Sequence, residues 1–320
     1  MWSPDGTQIA YIGPTRTSNT SGELGLDRVV VVSGDGSTPQ RIVASAPRET
    51  TLVEARWAAS GRIVYQVSDL YSLRSVDLTT GAVVKLGEVG LTSGVEEAFT
   101  LSPDRRKVAF TALCGCKFPL INAIHVVAAS GGQVRALPRP ANASDYGPSF
   151  SPDGKQVTFV RTLFGKSAPK FDRNQSILVE SVQGGPVRPL HVSGYLPAWS
   201  PDGRWIAFQA LTGQLDVIPA AGGKPRILIP RMSRAYGDAA FSWSPGSTKL
   251  VYTNGTRIAA VDLSGMRTTF SIPGLRPDLN TPQWSPDSSS IAFTAVRKGA
   301  DLDIRVYVIG ADGTGLRRLA

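Results

Sequence analysis

The sequence predicts an all-β fold, a seven-bladed β-propeller with four-stranded antiparallel blades, and two observations lead to it. One motif, an aromatic residue or leucine followed by a Ser-Pro-Asp-Gly turn and a short apolar strand, recurs at intervals of 41 to 55 residues. This interval is the length of one propeller blade. The copies occupy the whole chain, so we expect a single domain, 1–320, with blades beginning near residues 2, 57, 101, 150, 199, 243 and 284.

Each part of the motif has a physical reason. In a Ser-Pro-Asp-Gly turn the proline fixes φ at the first corner, the aspartate bonds back to the backbone, and the glycine accepts a positive φ. The aromatic residue before the turn, for example Trp199, ends one strand and is expected in the core. The apolar-Ala-aromatic triplet after it, for example Ile206-Ala207-Phe208, begins the next strand of a tight hairpin.

The second half of each copy is regular too. Ile177-Leu178-Val179 leads to Gly184-Gly185 and then to Val187-Arg188, which predicts a third strand, a hairpin turn and a fourth strand. The first copy has no inner strand before Trp2. We therefore expect the first blade to lack its inner strand in this chain, and the natural protein to be longer.

The formal net charge of +9 raises the question of an anionic partner. However, every predicted fourth strand carries a basic residue, and a charge on an exposed edge strand discourages edge-to-edge pairing. We therefore assign much of the charge to the fold, expect no nucleic-acid partner, and identify these basic residues as Arg41, Lys85, Arg135, Arg188, Arg226, Arg267 and Arg317.

The sequence shows no catalytic constellation, so we expect no enzyme and no catalytic residue. Gly-x-Ser-x-Gly, the nucleophile elbow of α/β-hydrolases, does not occur. His125 and His191 are the only histidines, and Cys114 and Cys116 are too few for a disulfide framework. No apolar run is long enough for a membrane helix, so membrane insertion is not expected.

The unit Trp-Ser-Pro-Asp-Gly with Ile206-Ala207-Phe208, followed by a Gly-Gly turn and an Arg-x-Leu strand, resembles the repeat of TolB-like β-propellers, a WD-repeat-like bacterial type. The resemblance implies a scaffold that binds a protein or peptide at the channel mouth, as a monomer or within a larger polypeptide. It also favours an extracytoplasmic location. The alternative that it implies is the accessory propeller of a prolyl-oligopeptidase-like serine peptidase. A propeller lyase with a channel-bound metal is a third, weaker alternative.

In a propeller, the loop that enters each inner strand lines the rim of the channel. Residues a few positions before each landmark aromatic residue should therefore cluster. Acidic and aromatic residues recur there although the protein is basic, and such a set suits a basic peptide. We expect no cofactor, and the alternative is a Ca²⁺ ion held by the carboxylates in the channel. The predicted site consists of Glu96, Glu97, Asp145, Tyr146, Tyr195, Tyr236, Asp238, Asp278 and Asn280. A basic insert, 164–175, is a second candidate for a partner contact.

Overall fold

A computed structural model gives the fold. It describes residues 1–14, 26–47, 50–68, 72–88, 99–113, 121–164, 175–232, 241–253, 257–277, 282–297 and 304–319. All regular structure in these segments is β-strand. Within them, no helix has the length and apolarity that crossing a membrane requires. The predicted all-β propeller class is confirmed.

The chain forms two compact units. The first comprises Met1–Lys85, Asp238–Val261 and Met266–Ala320, and the second comprises Leu86–Gly237 and Asp262–Gly265.

Four antiparallel sheets lie mainly in the first unit, and each corresponds to one copy of the motif. One contains β1 (Gln8–Pro14), β2 (Leu26–Ser33) and β3 (Arg41–Ser45), and another contains β4 (Leu52–Ala58), β5 (Arg62–Val67), β6 (Ser72–Asp77) and β7 (Val83–Glu88). The third contains β19 (Phe241–Trp243), β20 (Lys249–Thr253), β21 (Ile258–Asp262) and β22 (Arg267–Thr269), and the fourth contains β23 (Leu275–Pro277), β24 (Gln283–Trp284), β25 (Ser290–Arg297), β26 (Arg305–Gly310) and β27 (Arg317–Arg318). Apolar side chains on facing sheets form the core, for instance Trp57 with Val31 and Trp2 with Val308.

The second unit contains two sheets. The four-stranded sheet contains β8 (Phe99–Leu101), β9 (Lys107–Leu113), β10 (Asn122–Ala128) and β11 (Arg135–Ala136). The seven-stranded sheet contains β12 (Ala143–Phe150), β13 (Gln156–Leu163), β14 (Ser176–Ser181), β15 (Arg188–Trp199), β16 (Trp205–Ala210), β17 (Leu215–Pro219) and β18 (Arg226–Ile229).

The predicted count of seven blades is not confirmed. The described strands form six hydrogen-bonded sheets, of which five contain four or more strands. Two features account for the lower number of four-stranded sheets. The 12-residue strand β15 pairs with both β14 and β16, so the copies that begin at 150 and 199 share one sheet. The sheet β1–β3 has three strands, and Trp2 adds only an isolated bridge to Ile9.

The Ser-Pro-Asp-Gly turn is held by a repeated set of hydrogen bonds. In the copy at 199, the Ser200 hydroxyl donates to Asp202 Oδ1 over 2.6 Å and accepts from the Trp205 N–H over 2.9 Å. Asp202 Oδ1 also accepts from the Arg204 N–H, which directs the chain into the next strand. Ser3, Ser102, Ser151 and Ser285 make the same two contacts in their own copies.

The landmark aromatic residues are mostly in the core, as predicted. Trp57 is 4% exposed, and Trp2, Trp243 and Trp284 are buried as well. Trp199 is an exception, because it is only partly buried and packs at the margin of a cluster that contains Ile206 and Phe208.

The fourth-strand arginines do more than protect an edge. Arg188 donates from Nη2 to the carbonyl of Ala220, which lies in the glycine turn after β17. Arg135 donates to the carbonyl and the side-chain oxygen of Gln183, the corresponding turn after β14. Arg317 reaches the Gly34 carbonyl in the same way, over 2.7 Å. These contacts, which we call arginine bridges, join each of these copies to a neighbouring one, so these charges have a direct structural role.

Replacing Arg188 with alanine is expected to lower the free energy of unfolding by about 1–2 kcal/mol, because a charged hydrogen bond between two copies is lost. Urea denaturation measures the change. Arg204→Ala is the matched control in the same sheet. The Arg204 side chain is 81% exposed, and its removal should cost less than about 0.5 kcal/mol. Equal losses in the two variants would contradict the bridging role.

The fourth position of the motif turn is left-handed whichever residue occupies it. Gly203 has φ of 73°, and Ser288 has φ of 62° at the equivalent position. We expect Gly203→Ala to destabilise the protein by about 1 kcal/mol, since L-residues are strained there. A Cβ on Gly203 would meet the Pro152 side chain no closer than 3.6 Å, so crowding is not the cause. Ser288→Gly should stabilise the protein by up to about 1 kcal/mol. Thermal unfolding of both variants checks the opposite signs.

Candidate functional site

The described part of the predicted site lies on two strands of the second compact unit. Asp145 and Tyr146 belong to β12, and Tyr195 belongs to β15. The other predicted residues lie outside the described residues: Glu96, Glu97, Tyr236, Asp238, Asp278 and Asn280. Cys114, Cys116 and positions 165–174 of the basic insert lie outside them as well.

Asp145 is buried and forms an ion pair with a residue that the sequence analysis did not select. Arg161 is its register partner on β13, and Nε and Nη2 of the arginine donate to the two carboxylate oxygens over 2.6 and 2.7 Å. The Arg161 guanidinium also lies 5.3 Å from the centre of the Phe159 ring. Burial raises the pKa of Asp145, while the hydrogen bonds and charge of Arg161 act in the opposite direction. The Asp145 carboxylate is therefore committed to Arg161.

Two equivalent β-bulges define the geometry of the site. The register of β12 shifts between Tyr146 and Ser149, and the register of β15 shifts between Tyr195 and Ala198. The intervening residues are Gly147-Pro148 in β12 and Leu196-Pro197 in β15. Bulges re-aim side chains and are frequent beside functional sites. The sequence carries a signal for this pair, because the two Tyr-x-Pro segments are spaced by 49 residues, as the landmarks Phe150 and Trp199 are.

The backbone at the second bulge is strained. Leu196 has φ of 52°, a left-handed value that costs a bulky residue roughly 1–2 kcal/mol. At the first bulge Gly147, with φ of 63°, adopts the same region without a side-chain penalty. Its N–H donates to the buried Thr111 hydroxyl over 3.3 Å, which ties the bulge to β9.

The bulges bring Tyr146 and Tyr195 into one cluster. Both rings pack with Val160, and the partly buried Leu196 and Leu211 lie against them. The Tyr146 hydroxyl shares a 3.1 Å hydrogen bond with Thr162. The tyrosines are 7% and 8% exposed, so the two leucines supply much of the accessible apolar surface. The two tyrosines are among the residues predicted from the sequence, whereas neither leucine is.

In the described part of the chain, no group of three or more His, Cys, Asp or Glu side chains is arranged to hold a metal ion. Most of the carboxylates that suggested Ca²⁺ lie outside the described residues. A Ca²⁺ ion in the channel therefore stays a prediction.

The fold is similar to those of several solved propeller proteins. A puromycin hydrolase mutant complexed with PGG matches with a TM-score of 0.69 and 17% identity, over 98% of this chain and 52% of that one. An oligogalacturonate lyase in complex with manganese matches with a TM-score of 0.64 and 15% identity, over 100% and 86% of the two chains. TolB from Acinetobacter baumannii matches with a TM-score of 0.51 and 17% identity, over 96% and 62%. No family model and no curated protein matches the chain.

At these identities the likeness shows the fold alone. Together with the repeated antiparallel arrangement, it identifies the fold as a TolB-like β-propeller, and a fold by itself does not define a function. The chain spans about half the length of the puromycin hydrolase and less than two thirds of the length of TolB.

The ion pair of Asp145 and Arg161 should be important for stability. Asp145→Asn or Arg161→Gln alone is expected to cost about 3–5 kcal/mol, because each leaves the other partner buried without its counter-charge. The double variant should cost clearly less than the sum, and a double-mutant cycle from urea denaturation gives the coupling. Additive losses would contradict a direct pair.

Proposed function

We propose that this chain is a non-catalytic propeller scaffold that binds a protein or peptide segment at the bulged ends of β12 and β15. The pair of equivalent Tyr-x-Pro bulges carries the proposal. Strain of the kind present at Leu196 persists where the surrounding structure enforces it, and such positions cluster at ligand-binding sites.

The chemistry of the site favours apolar and hydrogen-bonding contacts over ionic ones. Tyrosine and leucine side chains form the cluster, while the Asp145 charge is neutralised by Arg161. Aromatic side chains with a polar tip are typical of the centres of protein interfaces. The proposed ligand is therefore a segment with apolar side chains that packs on Leu196 and Leu211, with its backbone near the tyrosines.

We also propose that the chain needs no resident cofactor, that nucleic acid is not its partner, and that it works outside the cytoplasm. The bridges made by Arg135, Arg188 and Arg317 support the absence of a nucleic-acid partner, because they give these arginines a role within the fold. The location rests on the resemblance to TolB-like propellers alone.

Selection of a displayed random-peptide library on the whole chain tests the proposal. We expect enrichment of apolar peptides whose binding, measured by calorimetry, falls at least about tenfold in Leu211→Glu, because a charge would enter the apolar surface. The matched control is Ile227→Glu on β18, where the isoleucine is already 51% exposed and lies in a fourth strand.

An unchanged affinity in Leu211→Glu, or an equal loss in Ile227→Glu, would count against this site. Circular dichroism of both variants checks that each one is folded, so a loss of binding cannot be confused with a loss of structure.

The second candidate is the accessory propeller of a serine peptidase. One observation favours it, namely the TM-score of 0.69 with a puromycin hydrolase of which the chain spans 52%. The length of the natural gene product, measured by intact-mass spectrometry, separates the two candidates. A product about twice as long that cleaves peptides supports the peptidase, whereas a product close to this chain in length supports the free scaffold.

A further inference from the structure

Two buried carboxyl groups in the second compact unit have no role in the proposed site. Glu180 on β14 is 1% exposed, and Asp216 on β17 is 6% exposed. Both lie in the third strand of their copy of the repeat. Both carboxyl oxygens of Glu180, and Oδ1 of Asp216, are buried without a hydrogen-bond partner among the described residues. A buried polar group without a partner is costly, which makes both residues unusual.

Glu180 faces the contact between two neighbouring copies. Its register partner is Val157, and it lies on the same face of the chain as Leu178 of β14 and Val182, which follows the strand. Those three apolar residues belong to one cluster with Ala109, Ile124 and Leu137, which come from the copy that begins at 101. Glu180 therefore shares its face of the sheet with the apolar residues that contact the sheet β8–β11.

The charged groups near Glu180 are used elsewhere. Arg161 and Arg135 favour its ionised form, and Asp145 disfavours it. However, Arg161 is bound to Asp145, and Arg135 is bound to Gln183. Burial outweighs these charges and raises the pKa of Glu180 to about 7.

Asp216 lies at a comparable contact one copy further along, although at a different position of its strand. Its register partner is Phe208, and it shares a strand face with Ile218. Phe208 and Ile218 belong to one cluster with Ile177 and Leu190 of the preceding copy. Arg226, on the flanking strand β18, lies over the Trp205 ring, and Arg188 of the preceding copy donates to the Ala220 carbonyl. Burial alone raises the pKa of Asp216 to about 6.

We propose that Glu180 and Asp216 are proton-controlled latches on two successive contacts between copies of the repeat. When protonated, each carboxyl is neutral and fits the apolar contact. When it loses its proton to water, the carboxylate favours an opened contact in which water reaches it.

The sign of the effect follows from linkage. A raised pKa means that the folded protein holds more protons than the unfolded chain between the two values, so stability falls as the pH rises through that window. The window runs from about 4.5 to about 7 for Glu180 and from about 3.8 to about 6 for Asp216. His125 has a lowered pKa and therefore acts in the opposite direction. It stacks on Phe110, whereas its neighbours Ile124 and Val126 are the residues that join the cluster beside Glu180.

Native-state hydrogen exchange of the whole chain at pH 5 and pH 8, corrected for intrinsic exchange rates, tests the proposal. We expect the opening equilibrium constant of β14 and β17 to rise at least about tenfold between the two values in the unaltered protein. Strand β26 in the first compact unit serves as the internal reference and should change much less.

Glu180→Gln should remove the rise in β14, and Asp216→Asn the rise in β17, while Glu88→Gln, at an exposed glutamate, leaves both in place. Because each variant is compared with the unaltered chain, the contribution of His125 cancels. An opening constant in β14 and β17 that is independent of pH in the unaltered protein would overturn the proposal, even if a variant fails to fold. An unchanged pH response in the folded Gln and Asn variants would do the same.

Discussion

The Ser-Pro-Asp-Gly turn is the constraint on which the rest of the structure depends. One serine hydroxyl donates to the aspartate and accepts from a backbone N–H five residues later, so it fixes both ends of the hairpin at once. The glycine of one turn also lies beside the proline of a neighbouring one, as Gly203 does beside Pro152 and Gly6 beside Pro286. In the copy at 243, which lacks the aspartate, the Lys249 N–H still donates to the Ser244 hydroxyl, over 3.1 Å.

The arginine bridges act at the far end of three copies, through Arg135, Arg188 and Arg317. By charge alone, a basic fourth strand suggests an anionic partner. In these copies the arginine instead donates a hydrogen bond to a backbone carbonyl of a neighbouring copy. Proline–glycine contacts on the inner hairpin and arginine–carbonyl contacts on the outer hairpin thus hold neighbouring sheets at two separated points. The face between these points is filled by apolar side chains, and the buried Glu180 and Asp216 are exceptions that lie within it.

Much of the fold could be predicted from the sequence, because each hairpin is local and its turn residues are diagnostic. The continuous strand β15 could not be predicted. It joins two copies into one sheet only because the chain between Arg188 and Trp199 pairs with β14 and also with β16. For the site, Asp145, Tyr146 and Tyr195 could be predicted from their position a few residues before a landmark aromatic residue. Arg161 could not, because a cross-strand partner is set by the register of the strands. Position along the chain likewise gave no sign that Glu180 is buried without a partner, since that depends on packing between sheets.

The most direct test of the central claim is a crystal structure of the protein grown with Ca²⁺ and with an apolar peptide obtained by selection. We predict peptide density against Leu196 and Leu211, beside the rings of Tyr146 and Tyr195, with Asp145 still bound to Arg161. Peptide density elsewhere, or a cation coordinated by Asp145 with Arg161 displaced, would contradict the account and would make this end of β12 and β15 an ion site.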